Sequence, residues 1–359
     1  MNVRSFSGVM VAIALMLTVS FSAQAQLGGA LNRARNAVQS ASGTAKEEEK
    51  PAPAATQSST SGTVQASTAT TPQQPWVVDK EERGRIHATY ADGVLTFKGY
   101  GDMKGYHVFL MQGGVLKDER PWAAYVKEIK SVVVEEEMTH IGYNAFYGCE
   151  NLTSVSLPST LLNIGGGVFF GCKSLQTITL PKSLNFFTGG EVPDPEDLGA
   201  TMSAGLFGQC TSLTEIKVAD GNEKFKSVDG VLYFYLNAAA KVGDLAAYPA
   251  GRKDATFIVP DGIGSVMAGG FSFCEALKSV VLSPICTSIE NSAFMGCTNL
   301  ESITLKKPTG SSVKFGGKVF RGVDKNRFKI YVPKAMLENY TTRGDSYWKD
   351  EWKDQIIGQ

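Results

Sequence analysis

Between Ile141 and Pro181 the large apolar side chains fall on a fixed beat. Ile141, Phe146, Cys149 and Leu152 recur as Ile164, Phe169, Cys172 and Leu175, a repeat of 23 residues. A unit this short cannot bury an apolar face alone, so the period predicts units that stack and share one core, a β-rich repeat solenoid. The phenylalanine position continues from Phe146 and Phe169 through Phe207, Phe271, Phe294 and Phe320, with successive gaps of 23, 38, 64, 23 and 26 residues. The gap of 38 places an insert near residues 182–205, where Gly189, Gly190, Pro193 and Pro195 punctuate an acidic loop. The gap of 64 is longer than two periods and holds a second insert, near residues 219–256, which includes Ser227–Phe234. At the last unit Val323 takes the cysteine position.

Each unit carries a short run of alternating character: Val132–Val134, Val155–Leu157, Ile178–Leu180, Ile216–Val218, Phe257–Val259, Val280–Leu282, Ile303–Leu305 and Ile330–Val332. Several of these runs end at a proline (Pro158, Pro181, Pro260, Pro333), which has no N–H for a ladder and turns the chain. Stacking them predicts one long parallel sheet, with the connecting turns on the opposite side. Period two then assigns faces. Val155, Leu157, Ile178, Leu180, Ile303 and Leu305 point inward, and Ser154, Ser156, Thr177, Thr179, Glu215, Lys217, Ser279, Val281, Ser302 and Thr304 point outward. The outer face is expected to be flat, rich in hydroxyls, nearly uncharged and without large aromatics. It is the candidate binding surface, although Ser and Thr are also simply tolerated on the wet side of a sheet.

The flanks read as caps. Arg85–Tyr90 and Val94–Gly99 alternate around Ala91-Asp92-Gly93, a β-hairpin pattern that would cover the first repeat and its strand edge. Trp122 belongs to this cap, residues 76–130, as a buried aromatic rather than a ligand platform. The solenoid proper spans 131–332. Within the C-terminal cap, 333–359, helical spacing fits Met336, Leu337 and Tyr340, then Trp348, Trp352 and Ile356. Upstream, residues 26–75 are rich in Ala, Ser, Thr, Gln and Pro and read as a disordered linker. Leu27, Leu31, Ala34 and Val38 lie near helical spacing at its start, with the plain linker as the default reading. Residues 1–25 combine Arg4, an apolar run from Val9 to Val19 and Ala23-Gln24-Ala25, the pattern of a signal peptide cut near Ala25. That run is too short to span a bilayer, and no later stretch qualifies, so the expected location is secreted, periplasmic or cell-surface.

The I-G-x-x-A-F-x-x-C-x-x-L rhythm at Ile141–Leu152 resembles the BspA-like family of bacterial leucine-rich repeats. The resemblance runs over most of residues 76–359 and includes both flanks. The asparagine typical of other leucine-rich repeats is absent, which favours the bacterial subtype. The resemblance implies a variant repeat around Ser227–Phe234, in which a hairpin replaces the Phe-Cys turn, and secreted or surface proteins used in adhesion and interaction.

Charge and chemistry narrow the functional classes. The chain has 35 basic and 35 acidic residues, and its basic clusters are no denser than Lys306-Lys307, so no nucleic-acid partner is suggested. Five of the six cysteines (Cys149, Cys172, Cys210, Cys274, Cys297) follow a repeat phenylalanine by three residues and form one column; Cys286 stands apart. Buried free thiols are the favoured reading, and a disulfide between stacked neighbours stays open. There is no CxxC and no His at ligand spacing from a Cys, so no metal or cofactor is implied. The three histidines, His87, His107 and His140, lie outside any catalytic motif. The leading reading is therefore a non-catalytic binding module for a protein or glycan, host matrix among them, with its oligomeric state open. One alternative is a glycan-processing hydrolase or accessory whose site lies in an insert, with Asp194, Glu196 and Asp197 as candidate acids. The other is a structural envelope component. Arg343-Gly344-Asp345 is the tripeptide integrins recognise, a weak motif at this chain length.

Overall fold

Among the described residues most repeats fold into two short strands set on opposite sides of a layer of apolar side chains. The computed structural model describes residues 74–108, 110–112, 115–187, 192–193, 201–202, 205–236, 239–310, 312–341 and 351–359. All of these fall in one compact unit, Thr68–Gln359. The signal peptide, most of the linker, Trp348, the acids Asp194, Glu196 and Asp197, and Arg343–Asp345 lie outside the described residues.

The alternating runs form strands within a residue of their expected bounds, but they make three hydrogen-bonded ladders among the described residues rather than one. The first runs Val94–Gly99, Ser131–Val134, Ser154–Ser156, in parallel. The second pairs Thr177–Leu180 with Glu215–Val218. The third stacks Thr256–Ile258, Ser279–Val281, Ser302–Thr304, Lys329–Val332 and Ile356–Gly358. The break between the second and third has a physical cause. The second insert folds as a hairpin, Phe225–Val228 against Val231–Tyr235, and its Asp229-Gly230 turn approaches the Glu215–Val218 strand, where Ile216 N donates to Gly230 O at 2.9 Å.

The opposite side is not made of turns alone, as the sequence pattern suggested. Gly101–Asp102, Met138–Ile141, Asn163–Ile164 and Phe186–Phe187 form a second parallel ladder. Gly243–Ala247, Ile263–Val266, Ser288–Ile289 and Lys314–Phe315 form another. Several of these strands, such as Asn163–Ile164 and Ser288–Ile289, have two residues and cannot display period two, so only buried anchors, such as Ile164 and Ile289, mark them in the sequence.

Between the two sides the phenylalanines stack. Phe97, Phe146, Phe169 and Phe207 succeed one another with ring centroids 5.7 Å apart. Phe271, Phe294 and Phe320 follow at 5.0 and 5.8 Å. The variant repeat supplies Tyr248 in place of a phenylalanine, 5.4 Å from Phe271. Tyr248 replaces an apolar ring with one that must satisfy its hydroxyl, and it does so by donating to Asp254 Oδ2 at 2.5 Å, a carboxylate also held by Arg252 Nε at 2.6 Å. All six cysteines are free and buried, which resolves the open choice toward thiols.

The caps close both ends. Ile86–Ala91 and Val94–Gly99 form the expected hairpin, with Asp92 and Gly93 at φ 50° and 82° in a two-residue turn. Trp76–Val77 adds an antiparallel strand outside it. Trp122 is fully buried, its Nε1–H donating to Ala145 O at 3.1 Å. At the other end Lys334–Met336 and Leu337–Thr341 are helical, as the spacing implied. Ile356 departs from the helical expectation: Ile356–Gly358 is a strand that pairs with Lys329–Val332 and extends the third ladder. Covering an open strand edge offsets more than a last helical turn would, and Trp352 still reaches the column, 5.2 Å from Phe320.

Candidate binding surface

The outward positions of the main strands fall into register columns. In the first ladder Ser131 faces Ser154 and Val133 faces Ser156, and Ser154 Oγ donates to Ser131 Oγ at 2.9 Å. In the second, Thr177 faces Glu215 and Thr179 faces Lys217, with Lys217 Nζ 3.3 Å from Glu215 Oε2. In the third, Thr256, Ser279, Ser302 and Lys329 make one column; Ile258, Val281, Thr304, Tyr331 and Ile357 make the next. Ser154, Ser156, Thr177, Thr179 and Lys217 are exposed, and Glu215, Ser279, Val281, Ser302 and Thr304 are half-buried. The ten candidates therefore lie on three ladders rather than one continuous face.

The expectation that this face lacks large aromatics fails at Tyr331 in its C-terminal part, where large aliphatics also stand outward. Ile258 is 63% exposed, and Tyr331 and Ile357 stand in the same column. The signal was present in the alternation. With Ile330 and Val332 buried, Tyr331 must point outward, just as Ile258 must between Phe257 and the buried Val259. Hydroxyls thus dominate the N-terminal strands, and an apolar stripe with one phenol runs along the C-terminal ones. A tyrosine beside exposed aliphatics is the composition that anchors protein interfaces.

Among the described residues the cysteines are shifted chiefly by burial. Burial pushes the thiols of Cys149, Cys210 and Cys297 up to about 12, and those of Cys172 and Cys274 well above their ordinary value. A thiol held protonated is neither nucleophile nor metal ligand. Burial lowers His140, against a nearby Asp102 that raises it, so the imidazole is neutral at physiological pH. Tyr143 Oη and His107 Nε2 lie 3.2 Å apart at the cap surface. Among the described residues no three His, Cys, Asp or Glu side chains converge to hold a metal ion, and no helix is long and apolar enough to cross a membrane.

The family model for the BspA type leucine rich repeat region matches residues 123–190 and 253–340, in six copies. Among solved structures, a leucine-rich repeat protein from Eubacterium ventriosum is 22% identical, with 69% of this chain and 71% of that one covered and a TM-score of 0.40. The pneumococcal vaccine antigen PcpA is 17% identical, with 76% and 95% covered and a TM-score of 0.37. A leucine rich cell surface protein from Faecalibacterium prausnitzii is 20% identical, with 70% and 88% covered and a TM-score of 0.26. No curated protein matches the sequence. The repeat and its stacking, rather than these likenesses, define the fold.

Proposed function

We propose that this chain, whose repeats match the BspA type leucine rich repeat region over residues 123–190 and 253–340, is a non-catalytic binding module that engages a partner protein through the outward face of its main strands. The single observation that carries this reading is the column Ile258, Val281, Thr304, Tyr331 and Ile357, an apolar stripe left on the wet side of a five-stranded ladder. Desolvating such a stripe contributes roughly 25 cal/mol per Å² of apolar surface buried. The exposed hydroxyls at Ser154, Ser156, Thr177 and Thr179 supply hydrogen bonds along the same side of the solenoid. Residues 1–25 act as the export signal, cut near Ala25, and residues 26–75 tether the solenoid at the cell surface. A host matrix protein is the class of partner such a surface protein meets, and the Arg343-Gly344-Asp345 tripeptide is a secondary contact to such hosts.

The test is a panel of immobilised matrix proteins, with a glycan array beside it, probed with the wild-type chain, an Ile258→Arg/Tyr331→Arg variant and a Thr177→Arg/Thr179→Arg variant. Saturable protein binding that falls by about tenfold or more in the first variant is the expected result, since buried aromatic anchors dominate interface energies. Binding that survives both variants unchanged would move the site off this face.

A further inference from the structure

The N-terminal cap holds a buried hydroxyl with nothing to bond. Tyr106 is 1% exposed, and its Oη has no hydrogen-bond partner. Other buried aromatics of the chain are served: Trp122 Nε1 donates to Ala145 O, Tyr248 Oη donates to Asp254 Oδ2, and Tyr340 Oη accepts from Val313 N at 2.9 Å. A buried donor left unpaired forfeits the desolvation of its polar group, and a phenylalanine would fill the same space without that cost. Such an orphan is what a ligand site carries before its ligand binds.

A cleft of about 790 Å³ opens here, with Tyr106 in its lining. Burial raises the phenol, Arg120 lowers it and Glu82 raises it again, so the hydroxyl stays protonated as a donor within reach of charges on two lining residues. Lys104 Nζ stands 5.9 Å from the ring centroid and is held by Glu82 at 2.7 Å; both side chains are at least partly exposed, so this pair can swing off the phenol. The remaining lining charges are of two kinds. Arg120 and Asp118 close on each other, with Nη2 2.6 Å from Oδ2. Lys117 and Glu119 are exposed and in no ion pair among the described residues, Glu119 taking a 3.3 Å bond from His107 N. Pro75 and Pro121 add apolar walls.

We propose that this cleft binds a short peptide with both termini free, its carboxylate on the Tyr106 O–H and the Lys117 ammonium, its own ammonium on the Glu119 carboxylate. The carboxylate is the acceptor the phenol lacks, and a charged acceptor makes the stronger bond. The lining leaves one unpaired charge of each sign, which a zwitterion complements and a ligand of single charge leaves half unpaired. Apolar side chains pack on the two prolines, and the volume falls in the range of small-ligand pockets, room for a dipeptide. The cleft belongs to the cap and shares no residue with the strand-face candidates, so the two stand or fall separately.

The wild-type chain, Tyr106→Phe and Lys117→Gln would be titrated by calorimetry with dileucine, dileucine amide and N-acetyl-dileucine, and melted in parallel. The proposal expects saturable binding of dileucine, with each blocked form weaker by about tenfold. Tyr106→Phe should weaken dileucine by about tenfold and yet melt no lower than the wild type, because it deletes a hydroxyl that the fold leaves unpaired. Lys117→Gln, at an exposed side chain, should bind dileucine and its amide alike. No saturable dileucine binding, blocked forms bound as tightly, affinity unchanged in either variant, or a Tyr106→Phe chain that melts well below the wild type would overturn the proposal.

Discussion

Cys172 donates its S–H to Phe146 O at 3.3 Å, Cys210 to Phe169 O at 3.0 Å, Cys297 to Phe271 O at 2.9 Å and Cys274 to Tyr248 O at 3.7 Å. Each thiol therefore ties its repeat to the carbonyl of the preceding column aromatic, as well as filling space. Burial raises these thiols, so the folded chain keeps protons that the unfolded chain releases near the ordinary value of 9.0. The sign follows. Their contribution to stability is complete below 9.0 and fades as pH rises from there toward about 12. A thiol reagent at neutral to mildly alkaline pH should label the native chain at none of the column cysteines, with labelling appearing along the urea unfolding curve, and the urea midpoint should drop above pH 9.0. Rapid labelling of all six thiols in the native state would contradict this. The column itself was legible in the sequence, because Phe and Cys recur at a constant offset. The bond from thiol to carbonyl was not, because it joins atoms of different repeats. Tyr106 was equally silent in the sequence: it reads as one more aromatic until its hydroxyl is seen buried without a partner.

At the scale of elements, the main strands were legible because three or four residues of alternation bounded by proline suffice to mark them. The second set of strands was not, since two residues such as Asn163–Ile164 show no alternation at all. What holds that second side close is the glycine after its buried isoleucine. A Cβ on Gly165 would lie 2.4 Å from Tyr143 N and 2.6 Å from Tyr143 Cα, both backbone atoms that cannot yield without moving the neighbouring repeat. Gly165→Ala should therefore lower stability by about 3 kcal/mol, the upper range for overpacking, as read from urea denaturation. A neutral effect would mean that the repeats slide apart easily on this side. The Ile356–Gly358 strand shows the limit of spacing arguments. Trp352 and Ile356 are four apart, as on a helix, yet the free edge of Lys329–Val332 recruits the second of them into the sheet.

Across the whole molecule the chain carries two differently equipped surfaces. The strand face runs from hydroxyls at Ser154 and Thr177 to the apolar column at Ile258 and Tyr331, and the N-terminal cap carries the Tyr106 cleft. The sequence pattern located the first and understated it, since Ile258, Tyr331 and Ile357 were not read as outward positions. It could not locate the second, whose lining comes from separate stretches of the cap such as Lys104–Tyr106 and Lys117–Pro121. On the reverse side Phe186, 47% exposed, and Leu162 mark a third patch that the binding proposal does not use. Those exposed side chains make the decisive comparison possible. Hydroxyl-radical footprinting of the chain, free and with any protein of the matrix panel that binds it saturably, reads side-chain protection directly. Protection of Ile258, Tyr331 and Ile357, with Phe186 and Leu162 unchanged, is the result the strand-face account predicts; protection of Phe186 and Leu162 with Tyr331 unchanged would contradict it.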